Sequence, residues 1–563
     1  MNWNVVLLRI AGVQAVLRSA DAFLPSSSTL FSSRNLLSNL GSTTEAESQA
    51  VTIREEVKET ERNEGKFDWN KQWYPVLSLK HTDEGRAQAV QLLGKDLVVW
   101  RDKEGRWSCF DDRCPHRAAP LTEGRVEKDG TLMCAYHAWR FDADGKCLSI
   151  PQSESGGRDE AQPKACAKVY PTQVAEDIIW IWGENGPDAA LESAMSSPAL
   201  PEVPPGKKVL KGAITQRNLP YGWDVFMENM MDPAHVEVSH HGTSLLNYHS
   251  TSNSTGRKSM TRFLLGDKGL TVAFRSPRGP WRDTSSFTPP ALVEIGAENL
   301  QDSTYQLVVY NIPTRPGWSR MFSYQVLHTT LTWYKFSDSA EASPPIWCCY
   351  VLYLALSVYC LSLFFKIQRR DLPDWRQHIL SHKFIAQDLV FLHHQASRRL
   401  QTLAASGIDS RNYGEAVYTP TTSDTAIIDL RKWIAKFTGG GPAWVAGCDR
   451  TMSPKEWKRD VLLDVYEKHT KNCTACLGAL KRVKQLLTAA KTSVVISLVW
   501  AVLRAARVSS TSNLTSALAR NGVTLRAMFP GLVMTFASLA AIKGLEILHE
   551  AFYTSPYHHQ DND

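Results

Sequence analysis

The stretches "CPHRAAPLTEG", Cys114–Gly124, and "CAYHAW", Cys134–Trp139, decide how the N-terminal half of this chain is read. Each supplies one sulfur and one imidazole: Cys114 and His116 from the first, Cys134 and His137 from the second. The pattern is C-x-H, then the seventeen residues Arg117 to Met133, then C-x-x-H. Two loops that each carry one Cys and one His suit a Rieske [2Fe–2S] cluster, where two sulfurs hold one iron and two imidazoles the other. The rival is a single structural zinc on two Cys and two His. Zinc fingers usually pair Cys with Cys and His with His along the chain, whereas here each loop carries one of each. Pro115 stiffens the first loop, and Gly124 and Gly130 keep the connection between the two tight.

Outward from these loops, residues 67–190 read as an all-β unit. "AQAVQLLGKDLVVWRDKEGRWSCF" has apolar stretches broken by Gly94 and by the turn Lys103–Gly105, a hairpin signal. "IIWIWG", Ile178–Gly183, is a further buried strand, and the Pro-rich Pro198–Gly206 reads as a linker. Residues 207–440 mix strands such as "LTVAFRS" and "YQLVVYNIP" with helical patterns. That predicts an antiparallel sheet with helices on one side, and hence an α+β chain. A charged, helical region follows over 452–488.

Size and composition fit this division. The 563 residues allow two to four domains, and 43% hydrophobic with 21% charged residues belongs to a folded protein. A net charge of +6 is small for this length, and no basic run is interleaved with aromatics, which sets nucleic acid aside. The eleven cysteines are odd in number and clustered, a usage suited to metal ligation and free thiols more than to an extracellular disulfide framework.

A second stretch, "ENMMDPAHVEVSHHG", Glu228–Gly242, carries His235 and His240 behind Asp232. One reading is a helix start, with Asp232 as N-cap and Pro233 at the first helical position. The other is an iron site. On a regular helix, residues five apart point about 140° from each other. They converge only if the helix frays or bends between them, and Gly242 marks a break just beyond. In "FIAQDLVFLHHQ", Phe384–Gln395, Asp388 shares a helical face with Ile385, Leu389 and Leu392. A carboxylate among apolar residues is costly unless it is paired, for instance with an Arg, or bound to metal.

Taken together, "FDWNKQWYPV" (Phe67–Val76), the two Cys/His loops, "ENMMDPAHVEVSH" and the late "CTAC" resemble the plant and algal Rieske oxygenases of chlorophyll metabolism. That group includes pheophorbide a oxygenase, the Rieske protein of the plastid inner-envelope translocon, a protochlorophyllide-linked relative and, more distantly, chlorophyllide a oxygenase. The resemblance covers most of residues 67–480. It implies a helix-grip-like antiparallel sheet in the catalytic domain and a mononuclear Fe(II) held by His235, His240 and Asp388. It also implies that Asp232 joins a neighbouring subunit's Rieske histidine to an iron-bound histidine, in a ring that is usually a trimer. The activity it implies is that of a monooxygenase using O2 and reduced ferredoxin on a chlorophyll-derived tetrapyrrole, with oxygenolytic opening of pheophorbide a foremost. The alternatives are hydroxylation of chlorophyllide or a chlorophyll catabolite, and a redox-sensing role in the plastid import machine. His241 has no assigned role.

Cys473 and Cys476, in "HTKNCTACLGAL", face one side of a helix. C-x-x-C can be a reversible disulfide, and the resemblance makes it a target of thioredoxin. Two inert thiols fit the spacing almost as well. A metal would need two more ligands; His469 is nearby, and the sequence indicates no fourth.

Three apolar segments complete the chain. Ile346–Phe365 is a charge-free run of 20 residues, long enough to span a bilayer. A single crossing there would part Asp388 from His235 and His240, so it reads as a membrane-dipping insert, a pocket lining or a segment from a misread gene boundary. Thr492–Leu503 and Ala527–Ile542 read as a membrane hairpin, with Lys491, Arg504, Arg526 and Lys543 at its edges. Lys481, Arg482, Lys484 and Lys491 would put both ends on the stromal side; a pair of buried soluble helices is the other reading. At the N-terminus, Val5–Leu17 is apolar like a signal-peptide core, and Ser26–Thr44 is hydroxylated and free of acids. With Phe23 between them, residues 1–60 are expected to be a bipartite presequence and linker addressing a plastid membrane, envelope or thylakoid, in an alga with a secondary plastid.

Overall fold

The structure, a computed structural model, describes residues 67–201, 208–232, 234–240, 259–264, 268–275, 282–298, 303–329, 372–406, 417–448, 458–511 and 517–557. The expected targeting segment, His241 and the apolar run Ile346–Phe365 lie outside the described residues.

The N-terminal part is built of three small antiparallel sheets, as its short, Gly-punctuated apolar runs predict. Trp73–Ser78, Ile178–Trp182 and Thr172–Ala175 form one. Gln88–Leu92, Lys95–Arg101, Trp107–Asp111 and Val169–Tyr170 form the second, with turns at the two places the sequence indicated, Leu93–Gly94 and Lys103–Gly105. The third consists of the pieces Arg125–Val126, Leu132–Met133, Arg140–Phe141 and Cys147–Ser149. The Cys114–His116 loop enters this sheet, and the Cys134–His137 loop joins its second strand to its third.

An eight-stranded antiparallel sheet follows. Its longest strands, the hairpin Ser303–Arg315 and Trp318–Thr329, lie near one edge, covered by Lys208–Lys211 and Thr215–Leu219, and its far edge is Ser259–Leu264. Alternation along Thr215–Leu219 buries Thr215, Arg217 and Leu219 on one side, the period-2 pattern of a strand with one face covered. The two sheet systems share one core. Trp69 lies edge-on to Trp223 at 5.0 Å, and the Leu93 and Gly94 amides donate to the carbonyls of Pro313 and Thr314 at 2.8 and 2.7 Å. Trp69, Trp180, Trp182 and Trp223 are fully buried within this core, and each such side chain contributes on the order of 2–3 kcal/mol.

Helices cover one side of the large sheet. Trp223–Met231 (α1) ends at Asp232, which takes an extended conformation, φ −92° and ψ 108°, as a residue ahead of proline does. One short turn, His235–Ser239 (α2), follows. Asp374–Ser406 (α3) runs across the sheet and packs Leu389, Leu392 and Ala396 against Leu219, Val225 and Met321. Thr425–Thr438 (α4) closes the core through Trp433 and Phe437.

Among the described residues of the region expected to be helical over 452–488, the α-helical parts are Arg459–Leu462 and the stretch from Thr474 onward. Between them the chain turns inward to bury His469 and Thr470, which a continuous helix could not do. From Thr474 one helix of 38 residues, Thr474–Thr511 (α5), runs through the first expected membrane segment, and Ala517–Glu550 (α6) contains the second. Both are long and apolar enough to cross a membrane. They lie antiparallel, since Ser493 meets Ser538 and Ser497 meets Thr535. Their outward faces expose Val495, Ile496, Val499, Val502 and Phe536, side chains that suit lipid better than water.

Candidate metal sites

The two Cys/His loops repeat one backbone design. The Cys114 amide donates to the Ala119 carbonyl and the Ala118 amide back to Cys114; the Cys134 amide donates to Trp139 and Ala138 back to Cys134, all at 2.8–3.0 Å. Ala118 and Ala138 both take φ 58°, a left-handed turn that brings each loop round after its Cys. At Gly124 a Cβ would stand 2.1 Å from the Met133 carbonyl oxygen, so only glycine lets the loops approach. Cys114 and Cys134 sink into a small core with Phe110, Leu121, Leu132 and Phe141. The imidazoles of His116 and His137 face each other at 4.5 Å nearer the surface, with Trp139 stacked on His116.

This arrangement separates a sulfur end from a nitrogen end. A single tetrahedral zinc needs its donors about 3.3–3.8 Å apart, given bonds near 2.0–2.3 Å. Among the described residues, the sets of three or more donors lying within 4.8 Å of one another do not include these four. Burial pushes the Cys114 thiol up to about 12, against the opposing pull of the His116 and Arg117 amides, so a cation is needed to hold the buried sulfurs as thiolates. A two-iron cluster meets both conditions.

His235, His240 and Asp388 do form a compact set, their donor atoms all within 4.8 Å of one another. The geometry follows the break anticipated from their spacing: α2 holds His235 in its first turn and ends at Ser239, so His240 is free to swing back. Their rings lie 5.4 Å apart. The Nε2 atoms of His235 and His240 stand 3.6 and 3.1 Å from Asp388 Oδ2. Each outer nitrogen is held by an acceptor: His235 Nδ1 by the Asp232 carbonyl at 2.7 Å, His240 Nδ1 by Gln387 Oε1 at 3.1 Å. These bonds fix Nδ1 as the N–H and turn a lone pair on each Nε2 inward. Phe384, one turn before Asp388, stacks on His240 at 3.5 Å.

Asp388 is 5% exposed. Burial alone would raise its carboxyl, but the close His240 and His235 imidazoles outweigh that and leave it below the usual range. Asn229 donates to Oδ2 at 3.3 Å, while Oδ1 is buried with no hydrogen bond. An orphaned carboxylate oxygen beside two inward lone pairs fits a divalent cation on a 2-His-1-carboxylate face.

Asp232 combines the two readings of its stretch. It ends α1, accepts from the Ala234 amide at 2.7 Å ahead of α2, and holds His235 through its carbonyl. Sequence reasoning did not find the supports: Gln387, Asn229 and the buried ion network beneath α1. In that network Arg399 reaches Glu228 Oε1 and Oε2 at 3.0 and 3.1 Å and also pairs with Asp224, and Arg431 pairs with both acids. Cys473 and Cys476 are buried, and they meet His378 and His469.

Sheet, loops and two iron sites define a Rieske-type non-haem iron oxygenase, an oxidoreductase that carries a [2Fe–2S] cluster and a mononuclear iron. Comparison with known proteins agrees. Residues 72–171 match the Rieske [2Fe-2S] domain family, and residues 287–404 match the pheophorbide a oxygenase family. The chain is 32% identical to the chloroplastic pheophorbide a oxygenase of Oryza sativa subsp. japonica over 436 residues, 74% of each chain. It is 29% identical to the chloroplastic flavonoid 8-hydroxylase 2 of Ocimum basilicum over 518 residues, 89% of this chain and 87% of that one. It is also 29% identical to the protochlorophyllide-dependent translocon component 52 of Arabidopsis thaliana over 448 residues, 75% of each. The chain belongs to the pheophorbide a oxygenase family of Rieske proteins.

Proposed function

We propose that this protein is a membrane-bound plastid monooxygenase acting on a chlorophyll-derived tetrapyrrole, with oxygenolytic opening of pheophorbide a as its leading reaction. The observation that carries this reading is the His235, His240 and Asp388 set, which a component that only sensed redox state would not need. When bound, the cluster supplies single electrons and the Fe(II) activates dioxygen for insertion of one oxygen atom.

The chain's own residues prepare that chemistry. Cys114, Cys134, His116 and His137 hold the cluster. The Asp232 carbonyl and Gln387 hold His235 and His240 in the tautomer that would bind metal, and Asn229 steadies the Asp388 carboxylate that would complete the set. The Asp232 side chain, about a quarter exposed, is positioned to accept a hydrogen bond from a Rieske histidine of a neighbouring subunit in a trimer. The sequence has no evident pyridine-nucleotide or flavin motif, so a separate reductase or ferredoxin supplies the electrons, and reduced ferredoxin is the donor the family likeness favours. The α5–α6 pair suits a greasy substrate drawn from the envelope or thylakoid of a secondary plastid. The family likeness would make Cys473 and Cys476 a thioredoxin target, but their burial beside His378 and His469 points instead to metal ligation.

Two other readings have an observation behind them. The extent of the likeness to a flavonoid hydroxylase favours hydroxylation of a smaller aromatic ring system, and the likeness to a translocon component favours a redox role. The experiment is anaerobic reconstitution with reduced ferredoxin, then oxygen and, in turn, pheophorbide a, chlorophyllide, protochlorophyllide and a flavone. An oxygenated open-chain product from pheophorbide a is expected. Turnover of the flavone alone would replace the tetrapyrrole reading, and no product with both irons intact would favour the sensor.

A further inference from the structure

The sequence offers His469 as a third donor beside Cys473 and Cys476. The fold adds a fourth: His378, near the start of α3, comes to within 3.3 Å of Cys476 Sγ and 3.6 Å of Cys473 Sγ through Nδ1. His469 Nε2 stands 3.2 Å from His378 Nδ1 and 3.3 Å from Cys476 Sγ. All four donors lie within 4.8 Å of one another, and all four residues are buried.

These separations are those of the corners of one coordination tetrahedron. Ligands 2.0–2.3 Å from a central ion stand about 3.3–3.8 Å from each other. The outer nitrogens agree. His378 Nε2 donates to the Ile214 carbonyl at 3.1 Å, and His469 Nδ1 to the Gln216 carbonyl at 2.6 Å. Each imidazole therefore carries its proton on the outside and turns a lone pair toward the sulfurs. Two such lone pairs 3.2 Å apart repel unless something positive sits between them. The two carbonyls flank and belong to Thr215–Leu219 of the large sheet, so the tautomers are set by a fixed strand.

We propose that Cys473, Cys476, His378 and His469 bind one structural Zn2+, a site separate from the two iron sites. Two thiolates and two imidazoles in a closed, buried tetrahedron with no open position suit zinc in a structural role. On binding, Zn2+ displaces the two thiol protons to solvent and no electron moves. The ion fastens three elements. His378 opens α3, whose later turns carry Asp388; Cys476 lies in the first turn of α5, which runs into the membrane pair; His469 belongs to the inward turn between them. The zinc thereby sets the iron-bearing helix against the membrane hairpin.

The test uses the full chain, purified in detergent with its irons loaded. Metal analysis should return one zinc beside three irons per chain, and zinc X-ray absorption should show two sulfur and two nitrogen ligands. Cys473→Ser/Cys476→Ser should lose the zinc while keeping the Rieske spin-resonance signal. His469→Gln covers failure of the double variant to fold and should weaken zinc retention against a chelator at least tenfold. Zinc absent from the wild-type chain would overturn the proposal, whether the thiols simply donate to the imidazoles or form a thioredoxin-reducible disulfide. Iron in place of zinc on these ligands, or zinc unchanged in the double variant, would overturn it equally. Because the readouts are zinc content and coordination, the result stands apart from whether pheophorbide a is the substrate.

Discussion

His240 Nε2 lies 3.1 Å from Asp388 Oδ2, although His240 directly follows the short helix α2 and Asp388 sits in the middle of α3, with six strands of the large sheet between them in the sequence. The sheet between them exists, in functional terms, to make that approach. Asp388→Ala removes the one carboxylate of the set and leaves two imidazoles, too few for a stable Fe(II) site. Iron content should fall from three to two per chain and turnover to background, with the optical and spin-resonance signals of the cluster unchanged. Full activity in this variant would sink the assignment of Asp388.

Gln387 tests the outer support. Its Oε1 accepts from His240 Nδ1 at 3.1 Å, and its loss frees the imidazole to rotate or change tautomer. Removing such partners typically costs about 10–100-fold in metal affinity or activity. Gln387→Leu should show a loss of that size in Fe(II) affinity, measured by competition with a chelator. Gln387→Glu, which keeps the acceptor, should recover most of it. Equal losses in both would mean that packing, not the hydrogen bond, is what matters.

The legibility of these sites in the sequence depended on how local their geometry is. The cluster ligands sit in two loops whose shape is written nearby, in Pro115, Gly124 and the C-x-H spacing, so they could be read outright. Helix geometry put His235 and His240 about 140° apart unless the helix broke, so their convergence was legible only as a condition, and their ligand role came from the resemblance. Asp388 was reachable as a carboxylate on an apolar face. His378, Gln387 and Arg399 were not, because each acts on a residue far away in sequence and in a polar helix looks like an ordinary surface residue. His378 and His382 share a helical face, one signal that could have drawn attention to that end of α3. The inward turn at His469 was hidden by the charge of 452–488, which resembled one continuous helix.

The ion network beneath α1 makes a pH prediction. Burial works to raise the Asp224 carboxyl, but the Arg399 and Arg431 guanidinium groups outweigh it and hold it at about 2, below its ordinary 3.8. A depressed carboxyl stabilises the fold above its unfolded pKa, and that stability is lost as pH falls through the folded one. Asp224 should therefore contribute about 2 kcal/mol above pH 4 or so, fading toward pH 2. Arg399→Met leaves buried acids short of a partner and should cost about 3–5 kcal/mol. It should also move the acid-unfolding midpoint upward, which circular dichroism across a pH series would report. An unchanged midpoint would mean that other carboxylates govern acid unfolding.

The membrane pair rests on one close approach. At Gly531 of α6 a Cβ would stand 2.6 Å from the Ala501 Cβ and 2.9 Å from the Ser497 carbonyl of α5. The flanking contacts are polar: Ser497 to Thr535 at 2.8 Å and Ser493 to Ser538 at 3.0 Å. In lipid, apolar burial does not drive helices together, so small residues and hydrogen bonds across the interface have to. Gly531→Leu should force the helices apart at a cost of about 1–3 kcal/mol, by analogy with overpacking in cores. With Ser493→Cys and Ser538→Cys introduced as reporters, oxidative cross-linking between α5 and α6 should be efficient in the parent and fall severalfold when Gly531→Leu is added. Both forms should stay in the membrane pellet after alkaline extraction, since each helix keeps its apolar face. Cross-linking that is indifferent to Gly531→Leu would show that the pair is held from its base, where Phe552 and Thr470 meet, and not by contact within the bilayer.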